Sequence, residues 1–145
     1  MSLPALVSAK LAMSAEKRAK RKEKAKRLKL RRPTHAKQVR EADRLFSLLV
    51  RSVGRCEADD GRPCKGPLQC AHLFSRRYEG ARWMPANAVA LCAGHHVFYT
   101  HRPEEWDDWR RTFLANTYEY VRGRAMFGGK QDMDQVLARL TERTS

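Results

Sequence analysis

The chain has no apolar run approaching the roughly 18 residues that a membrane span needs, and Lys10 interrupts the apolar residues near its start. It shows no basic segment ahead of those residues, as an export signal would, so the expectation is an intracellular, cytoplasmic protein. Acidic residues are scarce: 16 Asp and Glu stand against 30 Lys and Arg, leaving +14. Most of that excess sits on one arm, where it favours a polyanion such as DNA or RNA. Cysteine is limited to four residues in 145, which could be disulfides in a secreted chain, whereas inside a reducing cell thiols more often bind metal. Glycine and proline are absent from the most basic stretch, residues 17–32, which can therefore become helical when its charges are neutralised.

That stretch carries most of the charge. Lys17, Arg18, Lys20, Arg21, Lys22, Lys24, Lys26, Arg27, Lys29, Arg31 and Arg32 face the single Glu23, a net +10 of the total +14. It has no apolar stripe and cannot pack as core, so residues 1–35 read as a partly disordered or helical arm that neutralises phosphates. Only Leu28 and Leu30 could enter a lipid surface, which argues against membrane binding.

After Pro33 the pattern turns amphipathic. Val39, Ala42, Leu45, Phe46, Leu49 and Val50 recur at helical spacing within 36–53, and Gly54 ends the run. A loop rich in Asp, Gly and Pro then presents Cys56 and Cys64. Two short strand-compatible runs follow, 68–74 and 88–91, with a polar loop between them that carries Arg76, Arg77, Arg82 and Trp83. Gly94 precedes an expected helix over 95–100. A further helix starts at Pro103-Glu104-Glu105, where proline and acids suit the first turn. Its Trp106, Trp109, Phe113 and Leu114 make an apolar face. Gly128-Gly129 breaks the following cluster, and a last amphipathic helix, about 132–143, could pack on this domain or pair with another subunit as a homodimer.

Cys56-x7-Cys64, His72 in the first strand run, Asn87 before the second, and Leu-Cys-Ala-Gly-His-His at 91–96 together resemble the His-Asn-His (HNH) endonucleases. The likeness covers about residues 54–110 and, with Trp83 and Arg102-Pro103, is closest to phage-encoded members of the NinG recombination type. It implies a small zinc-stapled ββα-metal finger, which together with the basic N-terminal arm and the flanking C-terminal helices makes the expected fold α+β. The domain would span 36–127, with 128–145 as a C-terminal amphipathic helix. By position the resemblance makes His72 the general base, Asn87 the residue that orients it, and His96 the ligand of a catalytic Mg²⁺ or Mn²⁺. It further implies cleavage of DNA, branched DNA included, to 5′-phosphate and 3′-hydroxyl ends, in the cytoplasm of a bacterial host.

The chemistry accounts for these residue types independently. Phosphodiester hydrolysis needs a water activated near neutral pH and a cation on the phosphate, and a neutral imidazole titrates in the right range to take the proton. An amide such as Asn87 or a backbone carbonyl must hold the ring in one tautomer. One departure stands out: many family members place Asp or His directly before the base as a second metal ligand, and here the residue is Ala71. His101 lies five positions past His96, about 500° around a helix and off its face.

For structural zinc the set is Cys56, Cys64, Cys92 and His95, with Cys70 able to replace either of the first two. Adjacent histidines point about 100° apart on a helix, so His95 and His96 can serve different metals. Arg76, Arg77 and Arg82 are expected to grip phosphate beside the base. Two other readings fit the sequence: a noncatalytic zinc-binding protein that binds nucleic acid, and a zinc-stapled protein-interaction adaptor.

Overall fold

The computed structural model describes residues 16–23 and 33–145. Residues 16–23 form an exposed helical stretch in which Glu16 and Lys20 pair at 2.6 Å. The expected phosphate-binding residues Lys17, Arg18, Lys20, Arg21 and Lys22 lie on it, whereas Lys24, Lys26, Arg27, Lys29, Arg31 and Arg32 lie outside the described residues.

Residues His35–Ser145 form a compact unit of their own. Its class is α+β, with five helices and one two-stranded sheet: α1 (His35–Arg51), β1 (Leu68–His72), β2 (Ala88–Cys92), α2 (Ala93–Thr100), α3 (Pro103–Leu114), α4 (Tyr118–Phe127) and α5 (Met133–Thr144). The strands pair antiparallel, with Leu68 opposite Cys92 and His72 opposite Ala88. A five-residue ribbon cannot stand alone in water, and this one is covered on both faces. Strand alternation divides its side chains: Ala71, Val89 and Leu91 enter a core with Tyr99, Leu114, Tyr118 and Val121 from α2, α3 and α4. Cys70 and Ala90 face a second core built by Ala42, Phe46 and Val50 of α1 with Met133, Val136 and Leu140 of α5.

Helix α5, within the expected C-terminal segment 128–145, packs in the same compact unit as the sheet. Asp132 caps α5 by accepting from the amides of Asp134 and Gln135. Gly54, at φ +75°, ends α1 with its amide on the Arg51 carbonyl. The outer edge of β2 is closed by Glu57, whose amide donates to the Ala90 carbonyl at 2.8 Å while its carboxylate accepts from the Ala90 amide at 2.7 Å.

The loop between the strands is fixed at several points. Asn87 is completely buried; its Oδ1 accepts from the Phe74 amide at 2.8 Å, and its Nδ2 donates to the carbonyls of Phe74 and Ala81. Arg82 grips Asp43 of α1 with two bonds, of 3.0 and 2.7 Å, and the indole of Trp83 donates to the same carboxylate. Gly80 lies so close to Gly128 and the Arg124 carbonyl that a Cβ would collide with backbone. These contacts hold the backbone of residues 80–83 in place.

Candidate metal centre and cleft

Cys56, Cys64, Cys92 and His95 converge, with their ligand atoms all within 4.8 Å of one another. Three elements contribute: the loop after α1 supplies Cys56 and Cys64, the end of β2 supplies Cys92, and the first turn of α2 supplies His95. His95 Nδ1 lies 3.4, 3.8 and 3.0 Å from the sulfurs of Cys56, Cys64 and Cys92. Bond lengths of about 2.3 Å to sulfur and 2.0–2.1 Å to nitrogen imply tetrahedral S-to-N edges of about 3.5 Å. Three thiols and an imidazole at these separations can hold a metal such as zinc.

Backbone amides support the sulfurs. The Cys92 amide points at the Cys56 sulfur at 3.2 Å, and the Lys65 amide points at the Cys92 sulfur at 3.4 Å. Burial opposes ionisation of Cys92, but hydrogen bonds from the His95 and Lys65 amides outweigh it and hold the thiol down to about 6. Burial, and then the neighbouring Cys56 and Cys92, push the Cys64 thiol up to about 11. The loop is locked onto α2 by Gly94 donating to the Lys65 carbonyl and Ala93 to that of Pro67, both at 2.9 Å. Cys70 stands apart, facing the α1–α5 core, with burial raising its thiol to about 11.

Sequence reasoning missed Asp60. Its Oδ1 accepts from His95 Nε2 at 3.1 Å, which leaves Nδ1 with the lone pair that faces the sulfurs. Tyr99 and Arg62 also donate to this carboxylate. Burial works against its charge, yet the bonds from the Arg62 amide and the Tyr99 hydroxyl prevail and bring the carboxyl to about 2. The signal was weak, because an Asp beside Gly61 in a polar loop reads as a turn residue.

Beside this cluster lies a cleft of about 200 Å³ lined by His72, His96, Ala71, Tyr99 and Trp106 among others. His72, the last residue of β1, directs Nε2 at the Arg82 carbonyl at 2.9 Å. A carbonyl only accepts, so Nε2 carries the proton and Nδ1 keeps its lone pair. The ring is thus held by a backbone carbonyl and not by Asn87, whose bonds go to Phe74 and Ala81. Asn87 acts one step back, by fixing the loop. Burial lowers the pKa of His72, with the Arg82 carbonyl opposing and Arg76 adding to the shift.

His96 follows the same logic. Its Nδ1 meets Gln69 Oε1 at 2.5 Å, leaving Nε2 unprotonated, and burial lowers its pKa. Gln69 was also missed; a polar residue that alternates with Ala71 on β1, on the side of α2, was its only sign. Ala71 is buried and offers no ligand, and His101 is an exposed residue at the end of α2 outside the cleft lining.

Among the loop arginines, Arg76 and Arg77 are exposed, with Arg77 bonded to the Tyr78 hydroxyl. Arg82 departs from expectation: its guanidinium is committed to Asp43, with the two side chains only 19% and 25% exposed. Its charge serves the fold, and its carbonyl holds His72.

No helix among the described residues is long and apolar enough to cross a membrane. The chain matches no protein-family model, no curated protein and no solved structure.

Proposed function

We propose that this chain is a metal-dependent HNH endonuclease that hydrolyses DNA phosphodiester bonds, built on a ββα-metal finger formed by β1, β2 and α2. The observation that carries the reading is the pair His72 and His96. They line one cleft, and each has one ring nitrogen committed to an oxygen acceptor and the other left with its lone pair. Two histidines with fixed, opposite-ended tautomers supply one base and one ligand.

In this mechanism His72 Nδ1 accepts the proton of the attacking water while the water oxygen bonds to phosphorus. The Arg82 carbonyl, bonded to the opposite nitrogen, stabilises the imidazolium that forms. The bond from phosphorus to the 3′-oxygen breaks, and the 3′-oxygen takes a proton from solvent. His96 Nε2 is the residue that would hold a divalent ion, Mg²⁺ or Mn²⁺, which when bound neutralises charge on the phosphate and the departing oxygen. A lone imidazole suits Mn²⁺ better than Mg²⁺, which prefers oxygen. The Cys56, Cys64, Cys92 and His95 cluster fits structural zinc that fastens α2 to the sheet. Arg76, Arg77 and the basic arm would hold backbone phosphates, and branched DNA is among the substrates to be compared. The NinG-type likeness would place the enzyme in phage DNA recombination or processing.

Ala71 favours a second reading. With a single protein ligand in the cleft, the domain could be a noncatalytic zinc-binding module that binds nucleic acid.

The test is cleavage of supercoiled plasmid and of a synthetic four-way junction with Mg²⁺, Mn²⁺ or no added ion, comparing wild type with His72→Ala. The expected result is ion-dependent cutting that falls at least about 100-fold in the variant, with DNA binding and zinc content retained. DNA binding by both proteins without cutting under any ion would overturn the nuclease in favour of the binding module.

A further inference from the structure

A second concave surface is tied to the loop that holds His72 through the carbonyls of Glu79, Gly80 and Trp83. It has a volume of about 300 Å³ and is lined by Arg124 from α4, Lys130 and Gln131 from the following turn, the α5 cap Asp132, and Gln135 and Arg139 within α5. Elsewhere in the unit many arginines are neutralised: Arg44, Arg62, Arg82, Arg110 and Arg111 each pair with a carboxylate. Arg124, Lys130 and Arg139 have no carboxylate partner among the described residues. Each of the two arginines spends one long bond on the loop, Arg124 on the Gly80 carbonyl and Arg139 on the Trp83 carbonyl, both at 3.4 Å. A guanidinium has five N–H donors, so most of theirs stay available. Asp132, the one acid of the lining, turns an oxygen to the amides of Asp134 and Gln135. Three cations against one carboxylate leave the pocket at a formal +2.

We propose that this pocket is a phosphate site, and that it takes a backbone phosphate of bound nucleic acid at a position separate from the cleft. Converging guanidinium and ammonium groups recognise tetrahedral oxyanions through charge-assisted hydrogen bonds. A contact of this kind adds affinity without reading sequence and fixes the register of the duplex on the protein. Gln131, which donates to the Glu79 carbonyl at 2.5 Å, ties the floor of the pocket to the same loop. The site rests on the reading that the chain binds nucleic acid and does not depend on whether it cuts.

The experiment measures binding of the full chain to a labelled duplex by anisotropy without added divalent ion, between about 50 and 200 mM salt. Losing one phosphate contact lowers the slope of log K against log salt by about 0.9. That drop is expected for Lys130→Gln/Arg139→Gln with an unchanged thermal midpoint. Should the double variant fail to fold, Lys130→Glu, at an exposed residue of the turn, serves instead and should weaken binding at every salt concentration. In parallel, inorganic phosphate is titrated against ¹⁵N-labelled protein, and the side-chain Nε–H signals of Arg124 and Arg139 should shift. A wild-type slope in folded variants overturns the proposal, as does a pocket that shifts with inorganic phosphate while the slope stays unchanged, which would assign it to free phosphate. Either result leaves the cleavage test untouched.

Discussion

Replacing Asn87 by Ala tests how the loop holds the cleft. The side chain is wholly buried and makes three hydrogen bonds to backbone, one accepted from Phe74 and two donated to Phe74 and Ala81. Alanine leaves three buried polar groups without partners, each costing about 1–3 kcal/mol, and partial relaxation makes the sum sublinear. We expect a loss of about 3–5 kcal/mol in urea unfolding, followed by intrinsic fluorescence, to which the buried Trp83 contributes. A loss under about 1 kcal/mol would refute the reasoning, because an unpaired buried amide and two carbonyls cannot cost so little. Asn87→Asp sharpens the test, since a carboxylate can accept from the Phe74 amide but must face two carbonyls. Protonation restores one donor, so the folded pKa rises above the unfolded value of about 3.9. Stability is then retained at acid pH and lost as pH rises from the unfolded value through the folded one. The deficit relative to wild type should therefore shrink between about pH 7.5 and pH 5.5. A deficit that grows on acidification would contradict the geometry.

Two further outcomes follow from the site. Asp60→Asn removes the carboxylate behind His95 and should weaken metal affinity at the cysteine cluster by about 10- to 100-fold, read by competition with a chromogenic chelator; unchanged affinity would separate Asp60 from the metal centre. If His72 is the base, cleavage should rise with pH through a limb below the ordinary imidazole value of 6.5, because burial favours the neutral form that accepts the proton. A limb above that value, or one that persists in His72→Ala, would assign the titration to another group.

Much of the architecture was legible in the sequence because its periodicities are clean. Helix α1 was expected over 36–53 and spans His35–Arg51, and the strand pairing of 68–74 with 88–91 appears as Leu68–His72 with Ala88–Cys92. The first strand ends two residues early because Asn87 takes the Leu73 amide on its carbonyl and the Phe74 amide on its side chain. Helix α2 begins at Ala93 and not at His95, since Gly94 is held inside its first turn by Lys65, which leaves little room for a Cβ. The convergence of Cys56, Cys64, Cys92 and His95 was legible because soft ligands at close spacing have few other uses. Asp60, Gln69 and the Arg82 carbonyl were not, because each acts through a contact of 10 to 35 residues in sequence separation that no local pattern encodes. The committed state of Arg82 was hidden for the same reason, as its partner Asp43 lies on the polar side of a helix expected only to cover the domain.

His95 and His96 are consecutive residues of one short helix, one turned to the sulfur cluster and Asp60, the other to Gln69 and the cleft. Their azimuths cannot be set independently: the helix behaves as a keyed shaft, and whatever fixes the angle of one fixes the other. A single residue inserted between Cys92 and His95 would turn both by about 100°, delivering the wrong imidazole to each address. The spacing from Cys92 to His96 is therefore a phase as much as a length, and changes in it should be tolerated far less than changes of composition inside it.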